Sequence, residues 1–409
     1  MKWSPQQDDA LRAVDRWLKT GEQPFFVLDG FAGTGKTTLA KHLAEDAGRV
    51  KFVAPTGKAA QVLSSKGCPA STVHQLIYTP KNKSKARLVE LQEALSETIH
   101  ELHSEPEMQT ATPDERDKMI NESRTVIELR KKIREEEDNM KRAMFVLNLE
   151  SEAKDVDLIV CDERSMIDTQ IGTDMLSFGT KVLFLGDPAQ LPPVGGASFL
   201  MDRESDVMLT EVHRQAKESP IIHMATETRL KRDLPVGMYG ECQVHAEKTP
   251  MSEIAQAADQ ILCGKNATRK AANNRMREFL GRSSPIPQTG DRLVCLRNNH
   301  NLGLLNGQIW IAAEDAMDLD ETYTLTAYNE DKEGDVQTLQ VWKDEPNWYD
   351  RKEAEEFDFG YCLTTHKAQG SQWDSVMVMD ESWVFRRDRH RWLYTAITRA
   401  AEQLDIVKM

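Results

Sequence analysis

The chain has 409 residues, of which 40% are hydrophobic and 29% charged, and carries a formal net charge of −14 at pH 7. That length exceeds one hydrophobic core and predicts two or more domains. The composition excludes a disordered or fibrous chain, and no apolar run approaches the ~20 residues that span a bilayer, so no membrane role is expected. Acidity opposes indiscriminate adhesion to nucleic acid, so any such binding has to reside in local sites.

The opening run, Met1-Lys-Trp-Ser-Pro-Gln-Gln-Asp8, has no apolar signal core, which argues against export. Six scattered cysteines without a C-x-x-C pair fit a reducing cytosol and argue against a zinc site.

Phe25-Phe-Val-Leu28 reads as a buried strand, and Thr38 to Ala44 as the first turns of a helix. Between them Gly30-Phe-Ala-Gly-Thr-Gly-Lys36-Thr37-Thr38 fits G-x-x-x-x-G-K-[ST]. Strand, glycine loop and helix are the context of a phosphate-binding loop. Gly30, Gly33 and Gly35 let backbone N–H groups, that of Thr34 included, turn inward around phosphates, and the helix N-terminus before Thr38 adds positive character. Lys36 reaches the β- and γ-phosphates, and the Thr37 hydroxyl suits Mg²⁺. ATP and Mg²⁺ are the implied ligands.

Residues 77–150 differ in composition. Leu88, Leu91, Leu95, Ile99 and Leu102 recur at three to four, and Met119, Val126, Ile133 and Met140 at sevens, with Pro106 and Pro113 between. This predicts two amphipathic helices in an antiparallel hairpin, each roughly 30–40 Å long. From Lys83 to Arg142 there are twelve Lys and Arg against fifteen Asp and Glu, a solvated face and not a DNA-binding strip. Met144 to Leu149 reads as a strand.

Asp157-Leu-Ile-Val-Cys161 predicts a strand ending at Asp162-Glu163. Asp162 there suits the metal, and Glu163 the activation of water as general base. Lys181 to Leu185 predicts another strand, followed by Gly186-Asp187-Pro-Ala-Gln190, where Gln190 can report the γ-phosphate. Alternating strands and helices predict a parallel sheet with ligands at its carboxyl ends. Within 284–360, the runs 290–296, 306–311 and 323–328 alternate as strands, and the asparagines between them read as turn formers.

With these motifs in order, the chain resembles superfamily 1 helicases of the RecD/Dda type. Gln7 resembles the family's adenine-reading glutamine. Ala54-Pro55-Thr56-Gly-Lys58-Ala-Ala60 and Ser71-Thr72-Val-His74-Gln-Leu-Ile77 are similar to its motifs that touch single-stranded DNA. Leu209-Thr-Glu-Val-His-Arg214-Gln resembles the motif whose arginine meets the γ-phosphate. Thr364-Thr-His366-Lys367-Ala-Gln-Gly370-Ser371 is similar to T-x-H-K-x-Q-G, which contacts DNA and nucleotide. Tyr394-Thr-Ala-Ile-Thr398-Arg399 matches the final motif, with Arg399 as arginine finger. The matches span residues 7 to 399. Two departures stand out: Arg164 follows Asp162-Glu163, where Ala or Val is commoner, and Gln372 stands where many relatives carry Glu.

The resemblance implies an α/β fold of two RecA-like P-loop lobes, 1–76 with 151–215 and 216–283 with 361–409. A pin and helical arm (77–150) interrupts the first and a small β-barrel (284–360) the second. It implies ATP-driven, 5′→3′ movement on single-stranded DNA, with unwinding at junctions with duplex. The implied DNA contacts are Pro55, Thr56, Lys58, Thr72, His74, Thr364, His366 and Lys367. Phe145 is the candidate for the pin, and Trp342, Trp348 and Trp373 are options for base stacking. The arm is a candidate surface for a protein partner, and the chain is expected to act as a monomer. The extra N-terminal domain of many RecD-type chains is not found, which favours the compact Dda type. A non-helicase P-loop NTPase, a translocase that opens duplex poorly, and the motor subunit of a recombination nuclease remain alternatives.

Overall fold

The computed structural model describes every residue except 1–2, 81–84, 107, 109–110, 142–144, 193–198, 201–202, 212–217, 300, 333 and 347–352. The chain divides into two compact units: one of 1–77, 149–345 and 353–409, the other mainly of 78–148.

The first unit is built on three sheets. One has six parallel strands in the order Ala70–Thr72, Val50–Ala54, Leu158–Cys161, Lys181–Gly186, Phe25–Gly30 and Val207–Leu209. Its central strands are buried along nearly their whole length and, apart from Lys181 and Asp29, carry no charge, because both faces are covered, as parallel sheets require. Helix Pro5–Thr20 starts at a capping box, Ser4 with Gln7, and buries Ala10, Val14 and Trp17, the i, i+4, i+7 face of its sequence.

The second sheet runs Cys362–Thr364, Gln260–Cys263, Trp373–Asp380, Ala400–Lys408, Cys242–His245 and Gly237–Tyr239. It is parallel except for its last pair. The two six-stranded sheets, one wholly and one mostly parallel, each form a lobe of this unit.

The third sheet is antiparallel, in the order Met317–Asp318, Thr322–Asn329, Ile309–Ala312, Arg292–Cys295 and Phe357–Phe359, with Val336–Trp342 also on Thr322–Asn329. A bridge between Val341 and Glu355 joins the far strands, so the pairings return to their start around Trp310, Leu325 and Val341. Asn298 spans the loop between two of these strands, its Oδ1 accepting from Asn306 N at 2.6 Å, while Asn299 donates its amide to Glu355 at 2.7 Å.

In the second unit, helices Lys85–Ser104, Pro113–Glu122 and Arg124–Lys141 surround Met108, Ile120 and Val126. The sevenfold repeat predicts one helix from Met119 to Met140. It breaks at Ser123, whose φ of −61° and ψ of 121° are extended, and Thr112 with Glu115 caps the piece before the break. Tyr78–Pro80 pairs antiparallel with Phe145–Leu147; Met144, the first residue of the expected strand, lies outside the described residues. Among the described residues no helix is long and apolar enough to cross a membrane.

Candidate nucleotide site and strand-binding edge

Strand Phe25–Gly30 delivers the glycine loop to helix Lys36–Glu45. Gly33 and Gly35 hold φ of 78° and 79°, a left-handed backbone that glycine adopts without a Cβ clash. The Lys36 ammonium donates to Gly30 O at 2.6 Å and Phe31 O at 3.2 Å, neutral acceptors that an anionic phosphate outcompetes. Gln7 is buried beside the loop: its amide donates to Thr34 O at 3.1 Å and its carbonyl accepts from Ser4 N at 3.1 Å.

The loop opens on a cavity of about 350 Å³ between the two lobes. Lys36, Thr37, Thr38, Asp162, Glu163 and Gln190 line it from the first lobe, and Gly370, Gln372, Thr398 and Arg399 from the second. Phosphate-loop lysine and late arginine therefore face one space.

Glu163 has φ of 55° and ψ of 46°, a left-handed conformation that a non-glycine residue holds only where its surroundings impose it. The cleft walls desolvate its carboxyl and raise its pKa; Asp162 adds to the rise, and Arg399 and Lys36 oppose it. Asp162 Oδ1 accepts from Glu163 N at 2.8 Å. Asp187 is also pushed up by burial, against the pull of Lys36. The Gln190 side-chain oxygen is buried in the cleft wall with no hydrogen-bond partner among the described residues. An unsatisfied acceptor at a reaction site is a place to hold the proton of a water.

The second lobe engages this site through its last helix, Arg389–Ile397. Tyr394 donates its hydroxyl to Asp187 at 2.5 Å and accepts from Ala32 N of the glycine loop at 3.1 Å. Thr395 Oγ1 accepts from Leu191 N at 3.0 Å, and Gln369 donates to Leu191 O at 2.9 Å. The Arg229 guanidinium lies 3.6 Å from the ring centre of Phe31. Arg399 itself is aimed by its own lobe, donating to Thr395 O and Ser371 O, both at 3.1 Å. Arg214 lies outside the described residues.

Sequence reading names the loop, Asp162, Glu163, Gln190 and Arg399, all found around the cavity. It assigns no role to Tyr394 or Asp187, although both stand inside quoted motifs. The signal for Asp187 is its place after a buried strand; nothing local reports its tyrosine partner. Arg164, left without a role by the sequence, turns away from the cavity. Its guanidinium grips both carboxylate oxygens of Asp29 and donates to Leu200 O at 2.8 Å.

The expected DNA contacts follow the motif turns. Thr56 caps helix Gly57–Ser65 through its hydroxyl, 3.2 Å from Ala59 N, with Pro55 just before it. Thr72 caps Val73–Ile77 by exchange with Gln75. Thr364 is buried, and its Oγ1 lies 3.4 Å from Lys367 N. His74 and His366 are desolvated, which lowers their pKa values and favours neutral rings. Lys367 is exposed. Lys58 is buried, its ammonium clasped by Asp331 of the antiparallel sheet. Phe145, in the second unit, is 42% exposed, its ring centre 6.4 Å from that of Tyr78. Trp342 and Trp373 are half-buried, Trp373 against the second-lobe core, and Trp348 lies outside the described residues.

A family model for the AAA domain matches residues 2–239, and one for the UvrD-like helicase C-terminal domain matches residues 359–407. The ATP-dependent RecD2 DNA helicase of Deinococcus radiodurans is 27% identical over 416 residues, covering 92% of this chain and 46% of that protein. The chain thus spans about half the length of that curated relative. The Pif1 helicase of Candida albicans aligns over 100% of this chain and 94% of its own, at 16% identity and a TM-score of 0.51. Bacteroides Pif1 bound to ssDNA aligns over 99% and 92%, at 16% identity and 0.50. These solved structures share the fold. With the first match covering more than half its length, the chain belongs to the AAA-domain family; the second match, around its final motif, and the RecD2 relative fit a superfamily 1 helicase of the RecD type.

Proposed function

We propose that this chain is an ATP-dependent DNA helicase that moves 5′→3′ on single-stranded DNA and separates strands at the junction with duplex. The observation that carries the reading is the single cavity shared by Lys36 and Glu163 of one lobe and Arg399 of the other. One chain holds the whole nucleotide site, so a monomer is sufficient.

Lys36 and the loop N–H groups hold the β- and γ-phosphates. Glu163, ionised, takes a proton from the attacking water, which Gln190 orients through its free carbonyl oxygen. Arg399, with Arg214, meets charge developing on the γ-phosphate, a contribution of ~10³–10⁵ in rate for such fingers. Thr37, and Asp162 through water, would hold Mg²⁺ with the hard oxygen donors it suits, and the ion would supply positive charge to offset that of the phosphates. Gln7 sits against the loop as the adenine-side residue.

ATP attracts both lobes to one anion, and hydrolysis removes that attraction. Tyr394, which touches the glycine loop and Asp187 at once, carries the change into the second lobe. Thr56, Lys58, Thr72 and His74 grip the strand from the first lobe and Thr364, His366 and Lys367 from the second, so that alternating grips become steps. The ring of antiparallel strands is the small β-barrel that closes over the strand. The strand pair bearing Phe145 is the base of a pin, lengthened by the helical arm, and the arm offers a surface to a protein partner. Six unpaired, buried cysteines support a cytosolic setting.

The test is ATP-driven unwinding of matched duplexes carrying a 5′ or a 3′ single-stranded tail. Unwinding of the 5′-tailed duplex alone is expected. ATPase that DNA does not stimulate would favour a non-helicase NTPase, and translocation without strand separation the translocase.

A further inference from the structure

The three neighbouring parallel strands of the second lobe, Cys362–Thr364, Gln260–Cys263 and Trp373–Asp380, all end at one edge. His366 follows the first, Lys265 the second and Trp383 the third. Trp383 is 59% exposed and is the only exposed tryptophan among the described residues. A large apolar ring left in water at the carboxyl edge of such a sheet lies where ligands of open α/β sheets bind.

The ring is held out by a built support. Glu381, buried, accepts from Gly264 N and Lys265 N, both at 2.9 Å, and from Thr268 Oγ1 at 2.7 Å, and pairs with the Lys265 ammonium at 2.7 Å. That ammonium also lies over the Trp383 ring, 5.2 Å from its centre, and so occupies one face. Two residues on, Phe385 stacks on Trp392 with centroids 5.5 Å apart and planes 11° apart, and stands 5.5 Å from the His366 ring. Phe385 therefore links His366 to Trp392 in one aromatic cluster, two residues along the chain from Trp383. Arg386 turns the chain with φ of 46° and ψ of −103°, and Arg386 and Arg387 are exposed with no ion pair among the described residues. In a chain of net charge −14, unneutralised arginines beside an exposed indole form a local exception.

We infer that Trp383, with Lys265, Arg386 and Arg387, is a stacking platform for a base of single-stranded DNA on the second lobe. The inference rests on the helicase reading and extends it. A sequence-blind grip needs an aromatic face for the base and cations for the phosphates, and this edge carries both. Lys265 backs one face of the indole, the open face takes a base, and the arginine pair neutralises the neighbouring backbone. Removing the platform loosens the second lobe's hold on the strand.

The test is fluorescence anisotropy of the full chain with a labelled oligo-dT. Trp383→Ala is expected to raise Kd roughly tenfold, and Trp383→Phe, which keeps a π-face, to restore most of the affinity. Arg386→Gln with Arg387→Gln should lower the salt slope of log K by about 1.4, two phosphate contacts at roughly 0.7 each. Photocrosslinking to 5-iodouracil oligonucleotides should label Trp383. Wild-type affinity in folded Trp383→Ala, with no label at that residue, overturns the platform while leaving the helicase reading intact. Wild-type chain that does not bind oligo-dT overturns the helicase reading itself. If Trp383→Ala does not fold, Trp383→Leu decides: weak binding by a folded chain supports the platform, and full affinity overturns it.

Discussion

Arg164 and Asp29 form a buried, two-pronged ion pair directly beneath the nucleotide site. Asp29 is the next-to-last residue of the strand that feeds the glycine loop, and Arg164 follows the catalytic candidate Glu163, so the pair ties the two halves of the ATP site together. Gly186, from the third strand of the site, has no room for a Cβ, which would come within 2.4 Å of Arg164 Cγ. The unusual arginine after Asp162-Glu163 is thus the counter-charge of the buried Asp29 before the glycine loop.

Arg164→Met should be severely destabilising, by about 3–5 kcal/mol, because it leaves Asp29 buried and unpaired. Adding Asp29→Asn to the same chain should recover most of the loss. Urea unfolding midpoints of the single and double variants check this; additive losses would mean that the two residues do not act as a pair.

Lys36→Ala and Glu163→Gln should each abolish turnover, but by different routes. The lysine variant should also bind ATP weakly, since it loses a phosphate contact. The glutamine variant should hold ATP and fail to hydrolyse it. Equilibrium binding of a fluorescent ATP analogue beside steady-state ATPase separates the two.

The raised pKa values of Glu163 and Asp187 have two pH consequences with different observables. A general base works only when ionised, so kcat should fall as pH drops through the raised Glu163 value, at a higher pH than an exposed carboxylate would give. Between the ordinary carboxylate range and the raised values, the folded chain binds more protons than the unfolded one. The contribution of these groups to stability is therefore full below that window and lost as pH rises through it. Asp187→Asn should flatten this part of the stability profile, read as melting temperature across about pH 4 to 8 in the absence of nucleotide.

Arg399→Ala should bind ATP and DNA yet lose most DNA-stimulated hydrolysis, a fall of ~10³-fold or more in kcat. Its guanidinium is fixed by two backbone carbonyls of its own lobe and lines the cavity from the side opposite the glycine loop's lobe. Single-turnover hydrolysis with bound oligonucleotide gives the number directly, and a normal rate would remove the finger assignment.

Asp331→Asn should tighten single-stranded DNA binding roughly 2- to 10-fold, about 0.4–1.4 kcal/mol. Lys58 is held by that carboxylate, so a strand phosphate has to displace it before gaining the contact. Anisotropy titration at fixed salt reads the effect, and an unchanged Kd would mean that Lys58 does not meet the strand.

Much of the nucleotide site is legible locally. The glycine spacing, the carboxylates closing an apolar strand and the Thr398-Arg399 pair are short patterns whose chemistry depends on neighbours in the chain, so reading them needs no contact map. Buried strands show as apolar runs for the same reason. The break at Ser123 was not legible, because a sevenfold repeat describes which side chains face inward and not whether the backbone between them stays helical.

The chain's residues alone determined that a phosphate loop, an acidic strand end and a late arginine are present, and in which order. Only the tertiary structure decided that Arg164 serves Asp29, 135 residues away, that Tyr394 joins Asp187 to the glycine loop, and that Lys58 is held by Asp331. It also decided that Trp373 is half-buried against a core while Trp383 stands in water. The physical reason is that burial and pairing belong to surfaces assembled from distant segments, and two tryptophans ten residues apart carry no local mark of which one the fold will cover.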